Sequence, residues 1–299
     1  MKEKERLAFI KRYFPHFVIK EVKVNNRGWD NDLVIINNNL VFRFPKSEEV
    51  AAKVKTEGEI LTAVKARNPL LVIPEFEYMH EDDKVKGVKY PLIEGKSLSE
   101  YAPNTITCHF ENARLVGDFL TKLHSVEVAQ LNSSMLTSLH NHSYWESFYK
   151  KVERQVFPFL KYKQQEQIAH LFERFLESYE DIPAKKVIIH GDLTTSNIIY
   201  NEQKGRISGI IDFTDAQIGD PAFDFAGIYW AYGPDFTKNV LSCYQSSEKT
   251  EAIFKRVSNF YGLQPVFHEL LYALENQYNI NWETALERFN CLYEFINAR

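Results

Sequence analysis

Apolar positions in the N-terminal part of the chain follow first a helical and then a strand-like spacing. Residues 2–14 predict a short amphipathic helix that Pro15 ends. The next apolar runs are spaced as strands, and their connectors are rich in Asn and Gly, which accept positive φ at low cost. These runs lie at 17–19 with Val22 and Val24, at 33–36 and at 40–44. The pattern predicts an antiparallel meander of three strands.

A helix and two further strands are predicted next. Ser47 can cap a helix over residues 48–66, in which the apolar residues recur near helical spacing. Prolines then break the pattern, and strand-like runs at 76–79 and 85–92 flank an acidic turn. We expect five strands and one inserted helix to form a compact N-terminal lobe that spans residues 1–93.

Beyond residue 97 the spacing is mostly helical. The predicted helices lie at 108–124, 143–158, 163–179, 222–231, 249–261, 265–276 and 282–297. Between residues 186 and 212, short β runs at 187–189 and 207–211 bracket a polar loop and an apolar pair at 198–199. The pattern predicts an α+β protein with a small antiparallel β-rich N-lobe and a larger, mostly helical C-lobe over residues 94–299. Catalytic groups commonly lie in a loop such as the one in this β-loop-β segment.

Composition excludes several classes of protein. Apolar residues make up 44% and charged residues 25% of the 299 residues, as in ordinary globular proteins. A net charge of −4 argues against binding to nucleic acid or to a membrane surface. The three cysteines have no metal-like spacing and fit a reducing compartment. The N-terminus lacks a signal-peptide pattern, and no apolar run approaches the roughly 20 residues of a membrane span, so we expect a cytoplasmic protein.

The polar loop contains residues that suit phosphoryl transfer. That reaction needs a base for the acceptor hydroxyl and Mg²⁺ to hold the triphosphate oxygens. Asp192 follows a strand within His190–Asn197, so it can face a hydroxyl and is the candidate base. Asn197 and Asp212 offer hard oxygen ligands of the kind that Mg²⁺ prefers. Because a hairpin brings their two strands together, we expect both side chains to reach one metal ion.

Simpler interpretations exist for several of these residues. Asp192 taken alone could cap a turn, and His190 could orient the loop through hydrogen bonds without carrying a proton. Asp220 and Asp224 suit structural roles at the start of a helix. The order of Asp192, Asn197 and Asp212 favours the catalytic interpretation.

Three spaced motifs resemble the aminoglycoside phosphotransferase family. The motifs are His190-Gly191-Asp192-Leu193-x-x-x-Asn197, Ile211-Asp212-Phe213 and Gly219-Asp220-Pro221-x-x-Asp224-Phe225. The resemblance implies a protein-kinase-like two-lobed fold, with Asp192 as the base and with Asn197 and Asp212 on magnesium. It is closest to aminoglycoside 2″-phosphotransferases, with macrolide phosphotransferases next, and implies a role in antibiotic resistance.

The resemblance also implies a nucleotide donor, ATP or GTP, bound by the N-lobe. The family's usual phosphate-binding Lys is here Arg43, and Glu57 is the matching helix carboxylate. Arg43 could instead be an edge-strand charge with its head in solvent, and Lys46 is then the substitute cation. The nucleotide base is expected against Tyr90 and Leu92, although linker packing explains those two residues equally well. The loop at 26–31 holds a single Gly, so its grip on phosphate differs from that of protein kinases.

A small molecule is the expected phosphate acceptor. Asp220 follows Asp212 only eight positions later, which leaves no room for the peptide-docking segment of protein kinases. Asp215 lies near the site, and the late helices carry further acids that would suit a cationic aminoglycoside: Asp235, Glu269, Glu275 and Glu283. Trp230, with Tyr229 and Tyr232, could instead wall an apolar pocket for a macrolide or another hydroxylated metabolite, or simply belong to the core. Asp215, Trp230 and Glu275 are therefore the predicted substrate residues. A nucleotide-binding pseudoenzyme is the third hypothesis.

Overall fold

The computed structural model of the chain describes residues 3–25, 30–131, 136–179 and 185–297. Its N-terminal part is a five-stranded sheet in the order β1-β2-β3-β5-β4, in which every neighbouring pair is antiparallel. The strands are β1 (Val22–Asn25), β2 (Asn31–Ile36), β3 (Leu40–Pro45), β4 (Glu77–Glu81) and β5 (Lys84–Pro91). Two helices accompany the sheet, α1 (Glu3–Tyr13) and α2 (Glu48–Lys65). The predicted meander, inserted helix and strand pair are confirmed.

The first predicted strand is wrong in its position. Residues 17–19 are not in a strand, and the meander begins with β1 at Val22. Here the Asn37 side chain accepts from the backbone N–H of Lys20 at 2.8 Å and donates to the carbonyl of Val18 at 2.8 Å. Since this side chain supplies hydrogen bonds that a neighbouring strand would supply, the segment stays outside the ladder.

The centre of the sheet buries a charged residue. Strand β3 lies between β2 and β5, and Arg43 in its middle is only 4% exposed. The interpretation of Arg43 as an edge-strand charge in solvent is therefore wrong. Helix α2 starts at an N-cap in which Ser47 Oγ accepts from the Val50 N–H at 3.2 Å. The buried face of α2 includes Glu57, which reaches Arg43.

The C-terminal part is mostly helical, as predicted. Its helices are α3 (Pro103–Thr107), α4 (Phe110–His124), α5 (His142–Gln155), α6 (Tyr162–Glu177), α7 (Ala226–Ser242), α8 (Thr250–Arg256), α9 (Pro265–Glu275) and α10 (Glu287–Asn297). A π-helical turn, Val257–Tyr261, follows α8. Helix α3 had no predicted counterpart, and α10 begins five residues later than the predicted 282.

Helix α7 is much longer than its predicted range of 222–231. A 3₁₀ turn, Pro221–Phe225, comes first, and α7 then runs to Ser242 across a kink. The prediction ended early because Gly233 and Pro234 are helix-breaking residues. Gly233 indeed has φ of 80°, but Pro234 is tolerated at the first position of the helical segment that resumes there.

Two small sheets hold the segment between α6 and α7. Their strands are β6 (Lys96–Ser97), β7 (Val187–Ile189), β8 (Ile198–Asn201), β9 (Arg206–Ile210) and β10 (Gln217–Gly219). Strands β8 and β9 form the predicted hairpin, with Ile198 opposite Ile210. Strand β7 pairs with β10, and β6 adds to β8, neither of which was predicted. This hairpin brings Asn197 and Asp212 to the same end of the sheet.

Apolar side chains of both parts form the core. The largest buried cluster contains residues of α2 such as Ile60, together with Phe119, Trp145, Phe213 and Phe267 from the C-terminal part. A second cluster lies between α1 and the sheet and includes Ile10 and Phe42. No helix within the described ranges is long and apolar enough to span a membrane.

Candidate active site

The loop after β7 is held by the side chain of His190. His190 Nδ1 accepts from the backbone N–H of Asp192 at 3.3 Å, and His190 Nε2 lies 3.1 Å from the carbonyl oxygen of Ile211. Because a backbone N–H can only donate and a carbonyl can only accept, these contacts specify a neutral imidazole protonated on Nε2. His190 therefore orients the loop and ties it to the strand end before Asp212, as its structural interpretation predicted.

A buried carboxylate anchors the same loop from beneath. Asp224 is 1% exposed and accepts from the backbone N–H groups of His190, at 2.7 Å, and Gly191, at 3.0 Å. His124 Nε2 lies 3.0 Å from the same carboxylate, and Tyr244 Oη lies 2.8 Å from His124 Nδ1. Burial would raise the pKa of Asp224, but the hydrogen bond from His124 and its other partners lower it below its usual range. An ionised Asp224 thus fixes the backbone beside Asp192.

Gly191 lets two segments of backbone approach closely. Its φ is 80°, and a Cβ at this position would lie 2.2 Å from the carbonyl oxygen of Asp215. A side chain at this position would therefore be both strained and blocked. The close approach brings Asp215 beside the loop that carries Asp192.

Asp192 and Asn197 are joined directly. Asn197 Nδ2 donates to Asp192 Oδ2 at 2.8 Å and to the Asp192 carbonyl at 2.9 Å. Since the amide nitrogen is used on Asp192, the amide oxygen of Asn197 is the atom that could hold a metal ion. Burial and the charges of Asp215 and Asp212 raise the pKa of Asp192 to about 6. A carboxylate with such a pKa is a stronger proton acceptor than an ordinary Asp.

Asp212 lies two residues after the end of β9 in an unusual backbone conformation. Its φ is 64°, which is uncommon for a residue other than Gly. Thr214 Oγ1 donates to Asp212 Oδ1 at 2.6 Å, and the Arg43 guanidinium lies 3.9 Å from the same oxygen. The backbone N–H of Ile211 donates to the Asn197 carbonyl at 2.9 Å, so Asn197 and Asp212 belong to hydrogen-bonded neighbouring segments.

The donor set fits a hard divalent cation. Mg²⁺ usually takes one or two protein carboxylates together with phosphate oxygens and water. Asp212 offers a carboxylate that is 48% exposed, and Asn197 offers an amide oxygen. Within the described ranges no group of three or more His, Cys, Asp or Glu side chains could hold a metal by itself. Ligation shared with a nucleotide triphosphate is therefore the arrangement that these residues suit.

Arg43 and Glu57 form a buried, two-pronged ion pair. Arg43 Nη1 donates to Glu57 Oε1 at 2.8 Å, and Nη2 donates to Glu57 Oε2. Burial would lower the pKa of Arg43, but the charge of Glu57 raises it above its usual value. The guanidinium also lies 4.9 Å from the centre of the Phe76 ring, a cation–π distance. Arg43 Nε is buried and has no hydrogen-bond partner among the described side chains and backbone.

Tyr90 and Leu92 occupy different environments. Tyr90 is 7% exposed, and burial raises the pKa of its hydroxyl to about 12. Its ring lies 5.6 Å from that of Phe76, beside the Arg43 pair. The N–H of Leu92 is used by the carbonyl of Asn39 at 2.8 Å, so this N–H is occupied within the protein. Residues 26–29 of the loop with a single Gly lie outside the described residues.

The structure does not bring the three predicted substrate residues together. Asp215 lies beside Gly191, whereas Glu275 pairs with Lys151 at 2.5 Å. The backbone carbonyl of Trp230 accepts from Arg288, whose guanidinium also lies 5.6 Å from the Trp230 ring. No hydrogen bond or ion pair in the described part of the chain joins Trp230 or Glu275 to Asp192. Of the other aromatics, Tyr229 is fully buried, which agrees with its interpretation as a core residue.

Sequence reasoning missed two side chains near the site. Lys53 on α2 lines a small cavity together with Glu57 and Asp215. The spacing of Lys53 and Glu57, four residues apart on one helix face, was the signal that could have found it. Phe76, which faces Arg43, gave no such signal, because its position depends on the pairing of distant strands.

Comparison with known proteins identifies a family and two relatives that match parts of the chain. A family model described as a phosphotransferase enzyme family matches residues 21–250. Viomycin phosphotransferase of Streptomyces vinaceus is 32% identical over 101 residues, which are 33% of this chain and 34% of that protein, so the match spans about a third of that relative. The uncharacterized protein YcbJ of Bacillus subtilis (strain 168) is 22% identical over 244 residues, 76% of each chain.

Solved structures share the fold over nearly the full length. The GDP complex of wild-type aminoglycoside 2'-phosphotransferase-IIIa has a TM-score of 0.79 at 23% identity and covers 98% of this chain and 99% of that one. The GDP and kanamycin complex of APH(2")-IIia gives 0.78 at 23% identity over 99% and 100%. Macrolide 2'-phosphotransferase type I gives 0.66 at 20% identity over 98% and 97%. The predicted α+β, kinase-like fold is confirmed.

Proposed function

Because the chain belongs to the phosphotransferase enzyme family, we propose that it transfers the γ-phosphate of ATP or GTP to a hydroxyl of an aminoglycoside. Asp192 is the base in this proposal, and Asn197 and Asp212 are the magnesium ligands. The main support for this proposal is that hydrogen bonds connect the three residues or their immediate neighbours. Asn197 hydrogen-bonds to Asp192 at 2.8 Å, and its backbone carbonyl accepts from the residue before Asp212 at 2.9 Å.

The proposed step is a direct displacement at phosphorus. The hydroxyl oxygen of the acceptor forms a bond to the γ-phosphorus, and the bond from that phosphorus to the β–γ bridging oxygen breaks. The hydroxyl proton passes to Asp192, and the nucleoside diphosphate leaves with the electron pair of the broken bond. The products are a phosphate ester, the diphosphate and one proton. The raised pKa of Asp192 supports its role as proton acceptor.

The metal and phosphate side of the site is assigned to three residues. Magnesium held by Asn197 and Asp212 would neutralise the charge of the triphosphate and of the transferring phosphoryl group. The Arg43 guanidinium lies 3.9 Å from Asp212 Oδ1. It therefore places a permanent positive charge beside the proposed metal and phosphate site. Its fork-shaped pairing with Glu57 supports the role that Lys and Glu share in kinases, in which the carboxylate orients the cation.

The acceptor class is argued from relatives and from local charge. A solved relative binds kanamycin, and Asp215 provides an acidic group beside the loop of Asp192. A second acceptor class is favoured by one observation, the nearby cations of two of the four late acidic residues. Glu275 pairs with Lys151 at 2.5 Å, and Asp235 lies 3.9 Å from Lys238. Acids with nearby cations attract a polycation weakly, so a macrolide or another hydroxylated metabolite is the alternative acceptor.

Nucleotide turnover with an acceptor panel tests the proposal. The purified chain is incubated with Mg²⁺ and either ATP or GTP, alone and with kanamycin, gentamicin or a macrolide, and diphosphate release and phosphorylated product are measured. We expect acceptor-stimulated release with stoichiometric phosphorylation of an aminoglycoside. Stimulation by the macrolide alone would support the second acceptor class and contradict the aminoglycoside as acceptor. Nucleotide binding without transfer to any acceptor would support the pseudoenzyme hypothesis instead.

A further inference from the structure

A groove of about 510 Å³ lies between α5 and α9. We call it the α5–α9 groove, and its lining includes Tyr144, Ser147, Phe148, Lys151, His268 and Glu275. Its volume is within the range of small-molecule sites, about 300–1,000 Å³. None of the reacting groups proposed above lines it, so the catalytic assignment leaves its role open.

One side of the groove is lined by aromatic rings. The rings of Tyr144 and Phe148 are nearly parallel, with an interplanar angle of 5° and centres 6.2 Å apart. The His268 ring lies over a face of the buried Phe148 ring, with centres 4.1 Å apart and planes at 20°. Such a surface can pack against a flat apolar partner, including the face of a pyranose ring on which C–H groups project.

The groove also holds a paired donor and acceptor of opposite charge. Lys151 Nζ lies 2.5 Å from Glu275 Oε1, and both side chains are partly exposed, at 39% and 48%. The positive and negative charges of the pair cancel, so the pair does not favour a cationic ligand. An ammonium donor beside a carboxylate acceptor matches a hydroxyl group, which both accepts and donates hydrogen bonds.

The groove begins next to the catalytic segment. The N–H groups of Leu139 and His140 donate to Gln217 Oε1 at 2.9 and 3.3 Å, two residues from Asp215. Leu139 and Asp215 line the same small cavity. The His140 ring then lies 4.9 Å from Tyr144, the first aromatic residue of the groove. A ligand in the groove would therefore extend along α5 from the neighbourhood of the catalytic loop.

We propose that the α5–α9 groove binds an uncharged sugar ring of a glycoside acceptor, with the ring face on Tyr144 and His268 and with its hydroxyls on Lys151 and Glu275. This inference rests on the proposed function, since it names the acceptor of that same site. It implies recognition by ring shape and hydroxyl pattern, with charge attraction playing little part. A sugar ring without amino groups is therefore the part of the acceptor that the groove selects.

Binding of 4-nitrophenyl β-D-glucopyranoside to the full-length chain tests the groove. Saturation-transfer NMR gives the dissociation constant for the wild type, for Ser147→Trp, which fills the groove from an exposed helix position, and for Lys151→Ala. The matched control is Ser242→Trp, an exposed serine at the end of α7 outside the groove lining. Circular dichroism verifies that each variant is folded.

We expect wild type and Ser242→Trp to bind alike, and Ser147→Trp to bind at least about tenfold more weakly, a loss of about 1.4 kcal/mol. Lys151→Ala is expected to weaken binding several-fold by removing one hydrogen-bond donor. Raising KCl from 50 to 500 mM should leave the wild-type constant within about twofold, because no charged group of the ligand is screened. No binding to the wild type, or equal binding to Ser147→Trp, would overturn the inference.

The same variants separate this inference from the phosphotransfer proposal. Transfer to kanamycin that Ser147→Trp leaves unchanged, with no glycoside binding to the wild type, would reject the groove and keep the phosphotransferase activity. Glycoside binding that Ser147→Trp abolishes, in a chain that transfers phosphate to no acceptor, would keep the groove as a binding site and reject the proposed reaction.

Discussion

Glu57 on α2 accepts a hydrogen bond from the backbone N–H of Phe213 at 3.1 Å, although the two residues are 156 positions apart. The accepting oxygen, Oε1, is the same atom that accepts from Arg43 Nη1 at 2.8 Å. One carboxylate therefore links the cation of the N-terminal sheet to the residue that follows Asp212. This single buried side chain therefore connects the proposed nucleotide-binding group, Arg43, to the segment of the proposed metal ligand, Asp212.

Replacing Glu57 by Gln tests this linkage. The amide keeps an oxygen for the Phe213 N–H but removes the charge, so the buried Arg43 is left with only the more distant carboxylate of Asp212, 3.9 Å away. Breaking a buried ion pair on one side typically costs about 3–5 kcal/mol of folding free energy. We expect a loss of this size in urea unfolding, together with a raised KM for the nucleotide.

The control for Glu57 is Glu75→Gln. Glu75 pairs with Lys65 on the surface, where its side chain is 63% exposed. Exposed pairs contribute about 0–1 kcal/mol, so this variant should change neither stability nor nucleotide KM appreciably. Equal losses in the two variants would contradict the linking role of Glu57.

Gly191 gives a second prediction, because a side chain there would push the loop of Asp192 away from Asp215. Gly191→Ala would place a Cβ 2.2 Å from the Asp215 carbonyl oxygen. We expect kcat to fall at least about tenfold, since displacing a catalytic group by about 1 Å can lower the rate 10²-fold. Steady-state kinetics with the best acceptor measure the effect.

The matched control is Gly205→Ala in the turn between β8 and β9. Gly205 also has positive φ, 62°, but a Cβ there meets no atom within 4 Å. The strain should lower stability by about 1–2 kcal/mol and leave kcat unchanged. If both glycine variants retained full kcat, the close approach at Gly191 would have no catalytic importance.

His140 predicts a loss of stability in mild acid. Its ring packs 4.2 Å from Phe223, and burial, only partly opposed by the charge of Asp224, lowers its pKa to about 4. The unfolded chain has a His pKa of about 6.5, so it binds more protons than the folded chain between the two values. Stability must then fall as the pH decreases from about 6.5 toward 4. We expect His140 to account for about 2 kcal/mol of loss between pH 7 and pH 5.

The measurement is urea unfolding at several pH values for the wild type and His140→Phe. The phenyl ring can occupy the same aromatic surroundings without a proton, so the variant should lose less stability on acidification. His16→Gln replaces an exposed histidine and serves as the control. If His140→Phe lost as much stability between pH 7 and pH 5 as the wild type, His140 would not be the buried neutral group.

The candidate site could be predicted from the sequence best where its residues lie close together along the chain. Asp192, Asn197 and Asp212 lie on one β-loop-β segment, so a hairpin alone brings them together, and the hairpin is present. The roles of these residues stay predictions that the variants here test. Phe76 faces Arg43 only because β3 pairs with β5 and β5 with β4, an order that no local pattern specifies.

The substrate residues were the hardest to predict, because their partners come from other helices. Glu275 on α9 looked like part of an acidic field, but Lys151 on α5 neutralises it. Trp230 on α7 is engaged by Arg288 on α10. Sequence spacing predicts which residues share one face of a helix. The packing of helices against each other determines which side chains of different helices form contacts.

The most direct test compares Asp192→Ala with Asp212→Ala in the same transfer and nucleotide-binding assays. Asp192→Ala should lower kcat by roughly 10²–10⁴ and leave magnesium-dependent nucleotide affinity nearly intact, because only the proton acceptor is lost. Asp212→Ala should lower both the rate and the magnesium-dependent affinity for nucleotide. Small and equal effects of the two substitutions would contradict the assignment of base and metal ligand.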